Sequence, residues 1–246
     1  AGMDQVELPP GRYEVVLDAG AVADLVSGLL MQGLNGKAVA EGRSFARLGT
    51  AQFDPAVTLR DDSTDARATG LPFDAEGTPK RPLDLVRDGV TAAVPHDRRT
   101  AAACGASSTG SAVPGGDRWG AFPSDVRLDP GDAGDGPLDL VAGVAKGLLV
   151  SDFWYTRVLD PRTLVYTGLT RNGVWLIEDG RLGSAVSTLR FTQSYVDALG
   201  PGAVLGVSRE QYAVPGGVGP MTGGTGHMLV PALRLASWNI TGGAAG

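Results

Sequence analysis

Cysteine is nearly missing from this 246-residue chain, and Cys104 is the single thiol. An internal disulfide is thereby excluded, and the chain fits a reducing compartment. Histidine is almost as scarce. With only His96 and His227, a hydrolase built on a histidine base has few places to form. No serine sits in a G-x-S-x-G elbow, and no two histidines stand four apart. No stretch nears the ~20 apolar residues that span a bilayer, and no charged start leads into the apolar run of a signal peptide. Lysine occurs only at Lys37, Lys80 and Lys146, the remaining basic residues being scattered arginines. At a net charge of −6, no basic patch offers itself to nucleic-acid phosphate. The glycine-rich stretch 105–116 lacks a G-K-[ST] ending, and neither it nor 216–226 follows a strand–turn–helix pattern, which argues against nucleotide binding. These absences point to a bacterial, cytoplasmic protein with no nucleic-acid and no membrane partner.

What is present reads as a folded, turn-dense domain. Glycine (37) and proline (16) are abundant, yet 43% hydrophobic content is enough for a proper core. A strand is expected at 13–17, after which Asp18 can cap a helix over about 21–34. Val22, Leu25, Val26, Leu29 and Leu30 fall at helical spacing and form one buried stripe. A second helix is expected from Pro137, a first-turn proline, to Gly147, with Leu138, Val141, Ala145 and Leu148 as its core face. Short strands are expected at 57–60 and 83–86, and longer ones at 148–158, 164–169, 173–178, 186–192 and 228–240. Asp88-Gly89 and Asp179-Gly180 mark turns, the second a hairpin signal. Pro231 implies an edge or a bulge in the last strand. The fold class is therefore α+β and β-rich, with large, mainly antiparallel or mixed sheets and a few helices. The whole of 1–246 reads as a single domain, without internal repeats.

The residues that could carry chemistry are few. Nucleophilic hydrolysis finds no elbow serine beside either histidine. His96, Cys104 and His227 are the soft ligands a zinc site would need, but their spacing matches no established motif. Asp61 with Asp62, and Asp74 with Glu76, form two acidic clusters near turns. Such carboxylates can do acid–base work or hold a hard cation, although Asp and Glu in turns more commonly cap backbone amides. Trp154, Tyr155 and Trp175 lie in strand-like runs and read as core or interface.

The segment FDAEGTPKRPLDLVRDGVTAAVPHDRRTAAACGASSTGSA (residues 73–112) runs from an acidic turn through a short apolar strand, a DG turn and an Arg-rich segment to a Ser/Gly loop. That order resembles the C-terminal half of the TldD/PmbA family of metallopeptidase subunits, once called modulators of DNA gyrase. LPPGRYEVVLDAGAVADLVSGLL (8–30), AVAEGRSFARLGTAQFDPAVTLRDD (38–62), LDLVAGVAKGLLVSDF (138–153) and GVWLIEDGRL (173–182) extend the resemblance over most of the chain. Catalytic TldD-type members carry an HExxxH helix at the start of this domain, with a cysteine nearer the C-terminus completing the metal site. The corresponding segment here, LVSGLLMQGLNGKAVAEG (25–42), has no histidine, and the loop 217–226 has no cysteine. No catalytic and no metal-site residue carries over.

The resemblance thus implies the metal-free PmbA or TldE type. Such a chain is a non-catalytic subunit that helps form the peptide-binding chamber of a heteromeric zinc peptidase acting on unfolded or leader peptides. It is expected to be inactive alone and to hold no cofactor, with zinc only in a TldD-like HExxxH partner. Asp74, Glu76 and Arg98 are the candidate substrate-binding residues. The family's N-terminal α/β domain is absent from this chain, so an oligomer or a separately encoded partner is expected. Two further readings stay open: a stand-alone homo-oligomeric peptide-binding scaffold with the same fold, and an independent metal-dependent hydrolase.

Overall fold

The computed structural model describes residues 5–68, 70–215 and 227–243. The first strand, β1 (Gly11–Leu17), runs into α1 (Ala19–Gln32) through Asp18, whose carboxylate accepts the Ala19 amide at 2.7 Å. Val22, Leu25, Val26, Leu29 and Leu30 are at most 1% exposed, each contributing about 1.5–3 kcal/mol of burial. The helix stops two residues before the expected Leu34, because Gly33 turns the chain and Asn35 caps a separate short helix, α2 (Gly36–Ala40). Strands β2 (Thr50–Ala51), β3 (Leu59–Asp61), β4 (Leu83–Arg87) and β5 (Val90–Thr91) follow. The β4–β5 hairpin turns at Asp88 and Gly89, both at positive φ, as a two-residue primed turn requires.

Next come α3 (Arg98–Cys104), α4 (Gly116–Trp119), β6 (Asp125–Leu128) and α5 (Pro137–Val141). The long strands β7 (Lys146–Asp160) and β8 (Val165–Glu178) are followed by β9 (Arg181–Ala185), β10 (Leu189–Ser194), the short helix α6 (Tyr195–Ala198), β11 (Val204–Pro215) and β12 (His227–Gly243).

The expected second helix is corrected. It ends at Val141, and Lys146 opens β7, so Leu148 is a strand residue and Leu138 is 63% exposed. The competing force is tertiary. Glu14–Leu17 pairs in parallel with residues 147–150, and Gly147 sits so close to the β1 backbone that a Cβ would press into Glu14 O. The stretches 164–169 and 173–178 form one bulged strand, β8, instead of two. The strand expected at 186–192 begins later, at Leu189, with Val186 held by an isolated bridge to Val6.

The described strands form one mixed sheet in the order β1-β7-β8-β10-β12-β6-β3-β4-β5-β2, with β9 on β8 and β11 on β12. Because β1 also pairs with β12, the path β1-β7-β8-β10-β12 returns on itself as a ring of pairings. Alternation divides the apolar residues: Val15, Leu17, Leu148, Val150 and Leu233 enter the main core, while Val16, Leu149 and Ala232 lie under α5. Trp238 anchors the main core, stacked on Phe153 at 5.0 Å and beside Phe191 and Tyr195. Pro231 is not on an edge, since β12 has neighbours on both sides. Its missing amide falls between the β6 pairing, which ends at Leu229, and the β1 pairing, which starts at Leu233. On the other side β11 is bulged between Val207 and Gln211, in keeping with the expected irregularity.

Candidate functional site

The structure brings Asp74, Glu76 and Arg98 to one junction, where the turn 73–79 meets the N-terminus of α3. Asp74 is buried. One of its oxygens accepts the amides of Glu76 (2.9 Å) and Thr78 (2.8 Å), the other the amide of Ala112 (3.0 Å). Glu76 accepts the Arg98 amide at 3.0 Å and stands 3.9 Å from its guanidinium. Asp74 is thus wholly committed to backbone, Glu76 partly so, while the Arg98 side chain is 64% exposed with donors to spare. Helix α3 itself was legible only as an Arg-rich segment. Its signals are Asp97, which caps Thr100 in a reciprocal box, and Gly105 in the left-handed conformation at its end.

His96 is buried beside this junction, its Nδ1 3.3 Å from Thr100 Oγ1. Burial lowers its pKa, and Asp97 partly opposes that. Cys104 closes α3 with its sulfur 3.9 Å from Gly36 O. His227 belongs elsewhere, on β12 opposite Asp125 and beside Asp62, Asp65 and Arg127. The three soft ligands do not converge, and among the described residues no group of three or more His, Cys, Asp or Glu is placed to hold a metal.

The acidic pair Asp61–Asp62 divides between core and surface. Asp61 is buried and accepts the amides of Ser124 (3.2 Å) and Asp125 (2.9 Å), and burial raises its pKa. Asp62 joins an ion-pair ladder on the β3–β6 face: Arg127 pairs with Asp62, Asp65 and Asp129, and Arg60 with Asp84 and Asp129. Hydrogen bonds from Arg67 hold Asp65 well below the usual carboxylate range. Asp62 and Asp65 are compensated by arginines, whereas Asp61 is held by backbone amides with Asp125 adding repulsion.

Helix α1 presents the most unusual chemistry. Its Asp24 carboxylate accepts the Tyr195 hydroxyl and the Thr156 hydroxyl, each at 2.9 Å. Tyr195 stacks on Tyr166 at 4.4 Å, and the Tyr166 hydroxyl donates to Gly28 O at 3.4 Å. Burial raises the pKa of Asp24 against those hydrogen bonds, with Asp152 adding repulsion, and raises both tyrosines as well. No local signal could have revealed this cluster, since Asp24 and Tyr195 are 171 positions apart. Ser27 donates to the Met228 sulfur at 3.8 Å, so α1 lies against the start of β12. The donor set on α1 does not fit a zinc ion: it has no imidazole or thiol, and its one carboxylate is committed to two hydroxyls.

A second feature escaped the sequence. The Arg171 guanidinium lies 3.9 Å over Trp154, and that of Arg157 4.0 Å over Tyr155. The tyrosine and its arginine are two positions apart in sequence; the tryptophan pair is formed only by the β7–β8 register.

Residues 10–242 match the sequence profile described as the PmbA/TldA metallopeptidase C-terminal domain. The fold is similar to TldE from Thermococcus kodakarensis, at 20% identity and a TM-score of 0.82 over 97% of this chain and 52% of that one. It is also similar to two proteins described as candidate modulators of DNA gyrase. The one from Thermotoga maritima is 19% identical, with a TM-score of 0.80 over 96% of this chain and 51% of that one. The one from Bacteroides thetaiotaomicron is 22% identical, with a TM-score of 0.76 over 97% and 48%. The chain spans about half the length of these structures. At such identities the likeness is one of fold. No curated protein sequence matches the chain.

Proposed function

Because this chain belongs to the PmbA/TldD metallopeptidase family, matched through its C-terminal domain, we propose that it is the metal-free, TldE-type subunit of a heteromeric peptidase. The observation that carries this reading is α1, whose second half opens the segment 25–42 on which the resemblance would place the metal ligands. Here it is an apolar core helix whose polar groups turn to Tyr195, Thr156 and Met228. A zinc ion in a TldD-type partner would supply the activated water. This chain's part is to wall the chamber and hold an extended peptide through its backbone, a task suited to a strand-rich surface. At the turn–α3 junction, Arg98 is the member with donors left for a peptide carbonyl or carboxylate, positioned by Glu76 and, through the turn, by Asp74.

The test is reconstitution. The chain alone, purified without a histidine tag, is expected to leave an unfolded peptide intact. Mixed with an HExxxH subunit it is expected to restore cleavage that a chelator abolishes. Chelator-sensitive cleavage by this chain alone, with no partner detectable by mass spectrometry, would sink the proposal.

A further inference from the structure

Past Val150, β7 outruns β1. The first turn of α1 covers the edge at Ser151 and Asp152, where a Cβ on Gly20 would lie 2.9 Å from Ser151 O. Along residues 153–160 no described strand pairs with β7 on the side away from β8. None of the backbone groups of 154–159 bonds outside the β7–β8 ladder among the described residues. This stretch carries three exposed apolar side chains, Trp154, Tyr155 and Leu159, each more than half exposed. Tyr155 has φ +58°, which for a bulky residue costs about 1–3 kcal/mol. The strain coincides with the register shift between Trp154 and Arg157. It puts two consecutive aromatics in solvent, while Thr156 turns inward to Asp24.

Two stacked arginines stand on this surface, with Asp152 opposite Arg171 across the β7–β8 ladder and Asp160 at the end of β7. The Arg residues of β3, β6 and β12 (Arg60, Arg127 and Arg234) are ion-paired. Arg157 and Arg171 have an aromatic ring beneath them and no carboxylate partner among the described residues. A ring holds a guanidinium plane in place while its N–H fork remains available to a carboxylate. Arg171 also lines a cleft of about 360 Å³ together with Asn172, Trp175 and Gln5.

We infer that the distal half of β7 is a docking strand for an extended acidic segment of the substrate peptide, one in which carboxylates alternate with apolar side chains. The peptide backbone adds to the β7 edge, its carboxylates meet Arg157 and Arg171, and its apolar side chains cover Trp154 and Leu159. The inference rests on the peptide-handling role proposed above and names the class of peptide.

Fluorescence anisotropy of the full chain with a labelled peptide of alternating Glu and Val/Thr, and with its Gln counterpart, tests it at low salt. The Glu peptide is expected to bind about tenfold more tightly, the scale of two exposed charge pairs. R157Q/R171Q should erase that preference. R118Q should keep it, since Arg118 makes its own aromatic pair with Trp119 elsewhere. Equal binding of the two peptides, or a preference that survives R157Q/R171Q in a variant with an unchanged melting temperature, overturns the inference. A chain that restores cleavage by an HExxxH subunit yet shows no Glu preference overturns only the docking strand. A Glu preference without restored cleavage would count against the subunit role instead.

Discussion

Asp74 shows what a buried carboxylate in a turn does: it replaces three water molecules at three amides. Asp74→Ala leaves those amides without acceptors and is expected to cost roughly 3 kcal/mol in denaturant unfolding. Asp74→Asn, which still offers one carbonyl oxygen, should cost less. Asp24 has the opposite problem, since burial disfavours its charge. Its folded pKa is raised above the unfolded one, so the folded state holds the proton more tightly. The associated stability is complete below about pH 4 and lost as pH climbs through the folded pKa. Asp24→Asn can still bond both Tyr195 and Thr156. The variant's melting temperature is therefore expected to gain on the wild type as pH rises from 4 to 8. A constant difference across that range would remove Asp24 as the source. His96 titrates in the other sense. Burial lowers its pKa, so its contribution is present above about pH 6.5 and fades below it.

Much of the local architecture was legible where sequence and tertiary contacts agree. Asp18 capping, the buried stripe of α1 and the Asp-Gly turns at 88–89 and 179–180 are local signals, and each appears in the fold. What failed was decided at long range. The residues after Val141 have a helical pattern, but pairing with β1 draws them into β7. The capped helix α3 was missed because its interior, RRTAAAC, has no apolar stripe. Of the site, the acidic turn could be found by its residue types, whereas the contacts of Asp24 with Tyr195 and of Arg171 with Trp154 need the register of distant strands. The packing of α2 against α3 also depends on one small residue. A Cβ at Gly36 would press into the His96 ring and lie 2.7 Å from Pro95 O. Gly36→Ala is expected to destabilise by about 1–3 kcal/mol through overpacking, read as a lower urea midpoint with an unchanged slope.

The ring of five strands closes around one aromatic cluster, and Trp238 is its fully buried centre. Trp238→Ala is expected to cost about 3–5 kcal/mol and to abolish most of the near-ultraviolet dichroism. On the metal-free role proposed above, EDTA should leave the melting temperature unchanged; a fall would reveal a structural ion. The strand that bears Trp238 has one further consequence. β12 pairs with β1, β6, β10 and β11, yet every other described strand precedes it in the chain. During synthesis, β1, β6 and β10 must therefore wait with open flanks until β12 leaves the ribosome. Contacts of such large sequence separation slow folding and leave the growing chain prone to aggregate. Completion of the sheet is thus set by one late strand.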